Sequence, residues 1–196
     1  MKIRVLNAGH QVIANVADLL GIETIAEAMA DRQIAELLHR VETTEILPHL
    51  QAVPEYDPNS YLELIEARFA NTAIRDTTRR VAFDGSSRHP GFVLPSIRAC
   101  LASGLPVRGL ALVEALWARY CTGLREDGSQ VEPNDPDWTA LNARAQAAAV
   151  NPRVWLAPDL YGDLAVAPAF VEAFDDWLRL IHKQGARAAL AQYLAG

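Results

Sequence analysis

Apolar residues in this chain recur at helical spacing in one segment after another, and that pattern most constrains the fold. Between Ala8 and Leu20, Val12, Ile13, Val16, Leu19 and Leu20 follow one another at steps of one, three and four, the signature of an amphipathic helix. Ile34, Leu37, Leu38 and Val41 repeat it, as do Tyr61, Leu62, Leu64, Ile65 and Phe69, and then Phe174, Trp177, Leu178 and Ile181. Helix punctuation separates these runs. Asp31 and Asp76 are candidate N-caps, and Asp57-Pro58 and Asn151-Pro152 each place a capping side chain before a proline at the first helical position. Gly21, Gly104 and Gly185 are stop signals. Further helices are predicted over Thr24 to Ala30, Pro95 to Leu101, Leu110 to Tyr120, Trp138 to Ala149 and Ala186 to Leu194. Pro48 ends or bends the helix that Asp31 starts. Only Lys2 to Leu6 alternates like a strand, and Asp84 to Gly91 reads as a loop from its Gly, Ser and Pro content. The expectation is an all-α, single multi-helix domain over residues 1–196.

Composition narrows the function classes. With 18 basic and 24 acidic residues the formal net charge is −6, which is not the footprint of a nucleic-acid binder and leaves no polybasic membrane patch. No apolar run approaches a membrane span, and Asn7 and His10 break the N-terminal apolar stretch before it resembles a signal peptide. Cys100 and Cys121 form no disulfide framework or metal knuckle and read as two buried thiols. A soluble, cytoplasmic protein is expected. There is no G-x-G-x-x-G turn, no Walker A sequence, no HExxH and no G-x-S-x-G elbow. His39 and His49 share no ligand geometry, and no metal is expected.

Two polar groupings stand out. The first is Lys2, Asn7 and His10. On a helix Asn7 and His10 lie about 60° apart, and Lys2 precedes them by one to two turns. Lysine is scarce: Lys2 and Lys183 stand against sixteen arginines. A desolvated lysine exchanges a proton with an alcohol, an amide donates to developing charge on oxygen, and an imidazole positions a second hydroxyl. By spacing alone, a solubilising lysine, a capping asparagine and a part-buried histidine fit better, because three polar residues in ten are common. The second grouping is Arg79, Arg80 and Arg88 around the turn Asp84-Gly85-Ser86-Ser87. Arginine forks suit hydroxyl- and carboxylate-rich ligands. Alternatively, Arg80 pairs with Asp76 or Asp84 and holds the turn.

The segment Lys2-Ile-Arg-Val-Leu-Asn7-Ala-Gly-His10 resembles the catalytic K-x4-N-x2-H stretch of the mannitol dehydrogenase family, the zinc-independent long-chain polyol dehydrogenases. The likeness runs on through Glu66-Ala-Arg-Phe-Ala-Asn71, the DGSSRHPGFVLP stretch, Trp117-Ala-Arg-Tyr120, Glu132-Pro-Asn-Asp-Pro136, Tyr161-Gly-Asp-Leu164 and Gly185-Ala-Arg-Ala-Ala-Leu. The resemblance implies a two-domain enzyme in which an N-terminal Rossmann domain binds NAD(H) and a helical C-terminal domain carries substrate and catalytic residues. This chain matches the C-terminal part, and the Rossmann domain is absent from it. By the same resemblance Lys2 is the general acid/base, Asn7 polarises the substrate oxygen, His10 contacts the sugar, and Arg80 and Arg88 bind further along the polyol. Many relatives have lysine at the position of Arg88, and an arginine there changes donor geometry. A further family asparagine, supplied by the Rossmann domain, has no counterpart here. Three readings stay open: part of an NAD-dependent mannitol-type 2-dehydrogenase, the equivalent part of a fructuronate or tagaturonate reductase, or a stand-alone helical module without catalysis. An apolar face left for a missing domain also implies self-association of the chain alone.

Overall fold

Of the cap signals, Asp31 and Asp57 do locally what their chemistry requires, whereas the Asn151 side chain makes no cap bond and Pro152 opens only a short 3-10 turn over Pro152–Val154. In the computed structural model, which describes residues 2–50 and 57–196, Asp57 accepts from the Ser60 backbone N–H at 2.8 Å and starts α4 (Pro58–Phe69). Asp31 accepts from the N–H groups of Gln33 and Ile34 and starts α3 (Arg32–Val41). Thr24 and Glu27 exchange side-chain and backbone bonds in a capping box at α2 (Ile25–Ala30), a device that satisfies two orphan N–H groups at once. The remaining helices are α1 (Ala8–Leu19), α5 (Thr78–Ala82), α6 (Gly85–Arg88), α7 (Leu94–Ala102), α8 (Arg108–Tyr120), α9 (Trp138–Ala148), α10 (Pro158–Tyr161), α11 (Pro168–Gln184) and α12 (Ala186–Ala195). Among the described residues there is no β-strand, only single bridges joining Thr24 to Thr77 and Leu124 to Gln130. The all-α expectation holds.

Helices α1 and α8 form the centre. All of α1 except His10 is buried, and α8 is buried except for Arg108 and Arg119. Helices α3, α5 and α8 pack around α1, while α11 and α12 close over α8. Each Leu, Ile or Phe taken out of water here contributes about 1.5–3 kcal/mol, and Trp117, Trp155, Trp177 and Phe174 anchor the layer between α8 and α11. Cys100 and Cys121 are buried free thiols, as expected.

Three local expectations are corrected. Lys2–Asn7 is a π-helical turn continuous with α1, not a strand. Val5 and Leu6 are both buried, which alternation does not allow, and no neighbouring strand offers a ladder. Asp84 to Gly91 is helical rather than a loop: α6 is followed by a π-helical turn over His89–Val93. Asp84 adopts φ 60° and its carbonyl accepts from the N–H groups of Ser87 and Arg88. Pro90 sits at the start of the next turn, where no N–H is needed. Finally, Thr77 caps α5, accepting from the Arg80 N–H at 3.2 Å. The Asp76 carboxylate is engaged by the Arg80 side chain instead.

Candidate active site

The first candidate group lies along one helical rod. Lys2 is exposed at its start, Asn7 is half-buried at the junction with α1, and His10 is half-buried one turn later. Because Val5, Leu6, Ala8 and Gly9 are buried, the rod is fixed by its apolar side. Gly9 permits the approach: a Cβ there would lie 3.1 Å from Glu42 Oε1 and 3.3 Å from Leu38 Cδ1.

The His10 ring stacks on Phe69 of α4, centroids 4.3 Å apart at 22°. With Ile25, Arg68, Phe69, Ile74 and Asp76 it lines a recess of about 40 Å³. Burial pulls the His10 pKa down to about 4; Asp76 opposes this, while the Arg80, Arg68 and Arg88 charges add to it. At neutral pH the ring is therefore an uncharged imidazole, with one nitrogen that donates and one that accepts.

The second candidate group sits beside it. Arg80 Nε donates to Asp76 at 2.6 Å, and its Nη2 reaches the other carboxylate oxygen. Such a bidentate pair fixes the plane of the guanidinium. Arg88 Nη1 donates to the Val81 carbonyl at 2.8 Å. Arg80 and Arg88, with Thr77, Phe83, Pro133 and Asn134, line a recess of about 370 Å³. His10 thus lines one recess together with Asp76, and the two arginines line a second; the two linings share no residue and are joined by the Asp76–Arg80 bond. Arg79 lines the same larger recess while donating to the carbonyls of Glu132 and Pro133. His39 pairs with Glu66 at 3.0 Å.

The sequence reading singled out neither Arg68 nor the stacking role of Phe69, although both lie in the Glu66–Asn71 stretch. It also passed over Gln11 and Asn15, amides four residues apart in the apolar run of α1. His89 and Glu114, both fully buried, escaped it too; the one carboxylate in the apolar run of α8 was the available signal.

Dinucleotides bind where a parallel strand turns through glycines into a helix N-terminus. The described residues contain no such strand, and their positive-φ glycines lie in no G-x-G-x-x-G turn. They do not fit a dinucleotide. Among the described residues no three His, Cys, Asp or Glu side chains gather as a metal site, and no helix is long and apolar enough to cross a membrane.

The family model for the mannitol dehydrogenase C-terminal domain matches residues 1–181. The chain belongs to the mannitol dehydrogenase family. A mannitol 2-dehydrogenase of Cereibacter sphaeroides is 49% identical over 196 residues, all of this chain and 41% of that protein. The solved structure of Pseudomonas fluorescens mannitol 2-dehydrogenase in ternary complex with NAD and D-mannitol superposes with a TM-score of 0.95 at 30% identity, over 99% of this chain and 40% of that one. D-sorbitol dehydrogenase in substrate-free form shares the fold at a TM-score of 0.85 and 23% identity, over 96% of this chain and 39% of its own. The chain therefore spans about two fifths of the mannitol dehydrogenase relatives it matches.

Proposed function

We propose that this chain forms the substrate-binding and proton-transfer part of an NAD-dependent polyol 2-dehydrogenase, which interconverts a sugar alcohol of the mannitol type and its ketose. In this reading NAD(H) is held by a Rossmann domain that these 196 residues do not contain. Lys2 takes the proton of the reacting hydroxyl during oxidation and returns it during reduction. Asn7, on the same helical rod, donates to the oxygen as negative charge develops there. His10 bonds a neighbouring hydroxyl. Arg80 and Arg88 hold hydroxyls further along the chain, in the larger recess. The reading places the reaction in the cytoplasm, where free thiols such as Cys100 and Cys121 persist.

One observation carries the proposal. The His10 imidazole stacks on Phe69 and lines a recess beside Asp76, close enough to Arg80 and Arg88 for their charges to act on it, and burial keeps it uncharged at neutral pH. A neutral donor–acceptor beside arginine forks suits a row of hydroxyls. The ternary complex of the Pseudomonas relative, which holds NAD and D-mannitol, supports the same substrate class.

The test is an assay of the protein that joins this chain to a dinucleotide-binding domain, with NAD and a panel of sugar alcohols, and with NADH and a panel of ketoses and keto-uronates. D-mannitol oxidation and fructose reduction are expected to lead both panels. Reduction of uronates alone would assign the chain to the fructuronate or tagaturonate reductases. No turnover on either panel would leave the stand-alone module.

A further inference from the structure

Two amides and an imidazole lie fully buried between the two halves of the candidate site. Gln11 and Asn15 project from α1 at 1% exposure, and His89 is at 0%. Gln11 follows His10 directly in the chain, Val81 follows Arg80, and His89 follows Arg88. Gln11 Nε2 donates to the Val81 carbonyl at 3.4 Å, the same carbonyl that Arg88 Nη1 reaches at 2.8 Å. Asn15 Nδ2 lies 3.1 Å from His89 Nε2. The helix that carries His10 is therefore fastened to both ends of the segment between Arg80 and Arg88.

The His89 end is itself tied down. Its Nδ1 lies 2.8 Å from Glu114 Oε1, the ring stacks on Trp117 at 4.0 Å, and Glu114 Oε2 accepts from the Tyr161 hydroxyl at 2.6 Å. Tyr161 in turn accepts from Trp155 Nε1 at 2.7 Å. With Asn15 donating to Nε2, the proton of the ring sits on Nδ1 and goes to Glu114, so the tautomer and the plane of the ring are both set.

This arrangement is retained against the interests of packing. Gln11 Oε1 and Asn15 Oδ1 are buried without any hydrogen-bond partner, a destabilising state that leucine at either position would avoid. The amides supply what leucine cannot, a directed bond to the arginine-bearing segment.

We propose that Gln11, Asn15 and His89 are positioning residues, a buried clamp that sets the spacing between His10 on α1 and the Arg80–Arg88 segment. None of the three touches substrate. The inference deepens the polyol-dehydrogenase reading and rests on it.

The experiment compares Asn15→Leu and Gln11→Leu with Phe174→Leu, a core change on α11 whose ring packs on Phe170 and stacks on none of the three clamp residues. All three are made in the protein used for the polyol assay, alongside Arg80→Ala and Arg88→Ala. Asn15→Leu is expected to raise the D-mannitol KM at least tenfold and leave the NAD KM within twofold. Gln11→Leu does the same to a smaller degree, about threefold, because its bond is longer. Phe174→Leu should lower Tm without moving the mannitol KM. In the 196-residue chain, amide exchange at Ser87, Arg88 and His89 should accelerate in Asn15→Leu but not in Phe174→Leu.

The clamp is refuted if the two arginine variants raise the mannitol KM while Asn15→Leu and Gln11→Leu behave like Phe174→Leu. If the arginine variants leave the KM unchanged, the substrate-site reading fails first, and the exchange measurement still decides whether the clamp holds the segment. Should Asn15→Leu not fold, Gln11→Leu carries the same comparison, with an unchanged mannitol KM overturning the proposal.

Discussion

Two glycines six residues apart, Gly85 and Gly91, should respond to alanine with opposite signs. A Cβ at Gly85 would lie 2.6 Å from Trp117 Nε1, 3.0 Å from its Cε2 and 3.3 Å from its Cζ2. Comfortable separations for such atoms are about 3.5–4.0 Å, so the indole must retreat by about 1 Å. It has little room: Trp117 is 2% exposed, lies flat on His89 at 4.0 Å and meets Trp155 edge-on at 5.0 Å. Overpacking of this kind costs about 1–3 kcal/mol, against a gain of about 0.4–1 kcal/mol from the stiffer unfolded chain. Gly85→Ala should therefore destabilise by about 1–2 kcal/mol. At Gly91 a Cβ meets nothing within 4 Å, so Gly91→Ala should be neutral or stabilise by about 0.5 kcal/mol. Urea unfolding followed by tryptophan fluorescence measures both. Equal midpoints for the two variants would refute the close packing of the Gly85 turn against Trp117, and with it the seating of His89.

Other consequences follow from burial and charge. Burial pushes the Glu45 carboxyl up to about 7, although the Leu110 and Gly109 backbone N–H groups pull it down. Its proton is held more tightly folded than unfolded, so its contribution to stability is complete below about pH 4.5 and lost as pH rises through about 7. At ~1.4 kcal/mol per tenfold change the loss is about 3 kcal/mol, and Glu45→Gln should remove that part of the slope in unfolding midpoints taken from pH 4.5 to 8. Glu42, also pushed up by burial, stays in both proteins, so the difference between them isolates Glu45. The opposite sign holds for His10: pulled down to about 4, it should titrate near there by NMR and lose stability as pH falls from about 6.5 toward 4, and a midpoint above 6 would contradict its burial against Phe69. We also propose that the chain alone self-associates, because Ile3, Leu64 and Phe83 are 55%, 62% and 47% exposed. Light scattering should show mass rising with concentration, reduced by Phe83→Ser, and a strict monomer at high concentration would contradict this.

The longer helices were legible because they carry local signals: the caps at Asp31 and Asp57, and the stops at Gly21 and Gly185. What escaped is tertiary. The segment from Asp84 to Gly91 has loop composition, yet Asp84 in a left-handed conformation and Pro90 at a helix start make it helical, and only packing against Trp117 and His89 selects that outcome. Lys2 to Leu6 alternates, but a strand needs a neighbour and the described residues offer none. Lys2, Asn7, His10, Arg80 and Arg88 are assigned to the site by residue type and by resemblance; of these, His10, Arg80 and Arg88 line recesses. Both partners suggested for Arg80 are acidic neighbours, and the structure chooses Asp76, four residues earlier and just ahead of the Thr77 cap of α5. The Asn15–His89–Glu114 chain joins residues 74 and 25 positions apart, a relation that spacing along the sequence does not encode.

The central claim is that proton transfer in the polyol dehydrogenase reaction is carried by Lys2. The direct measurement is kcat/KM for D-mannitol across pH, with Lys2→Ala introduced into the protein that joins this chain to its dinucleotide-binding domain. A general acid/base is worth about 10²–10⁴-fold, so Lys2→Ala should lower kcat/KM by that factor and abolish the pH-dependent limb belonging to the base. Turnover left nearly intact at every pH would contradict the account.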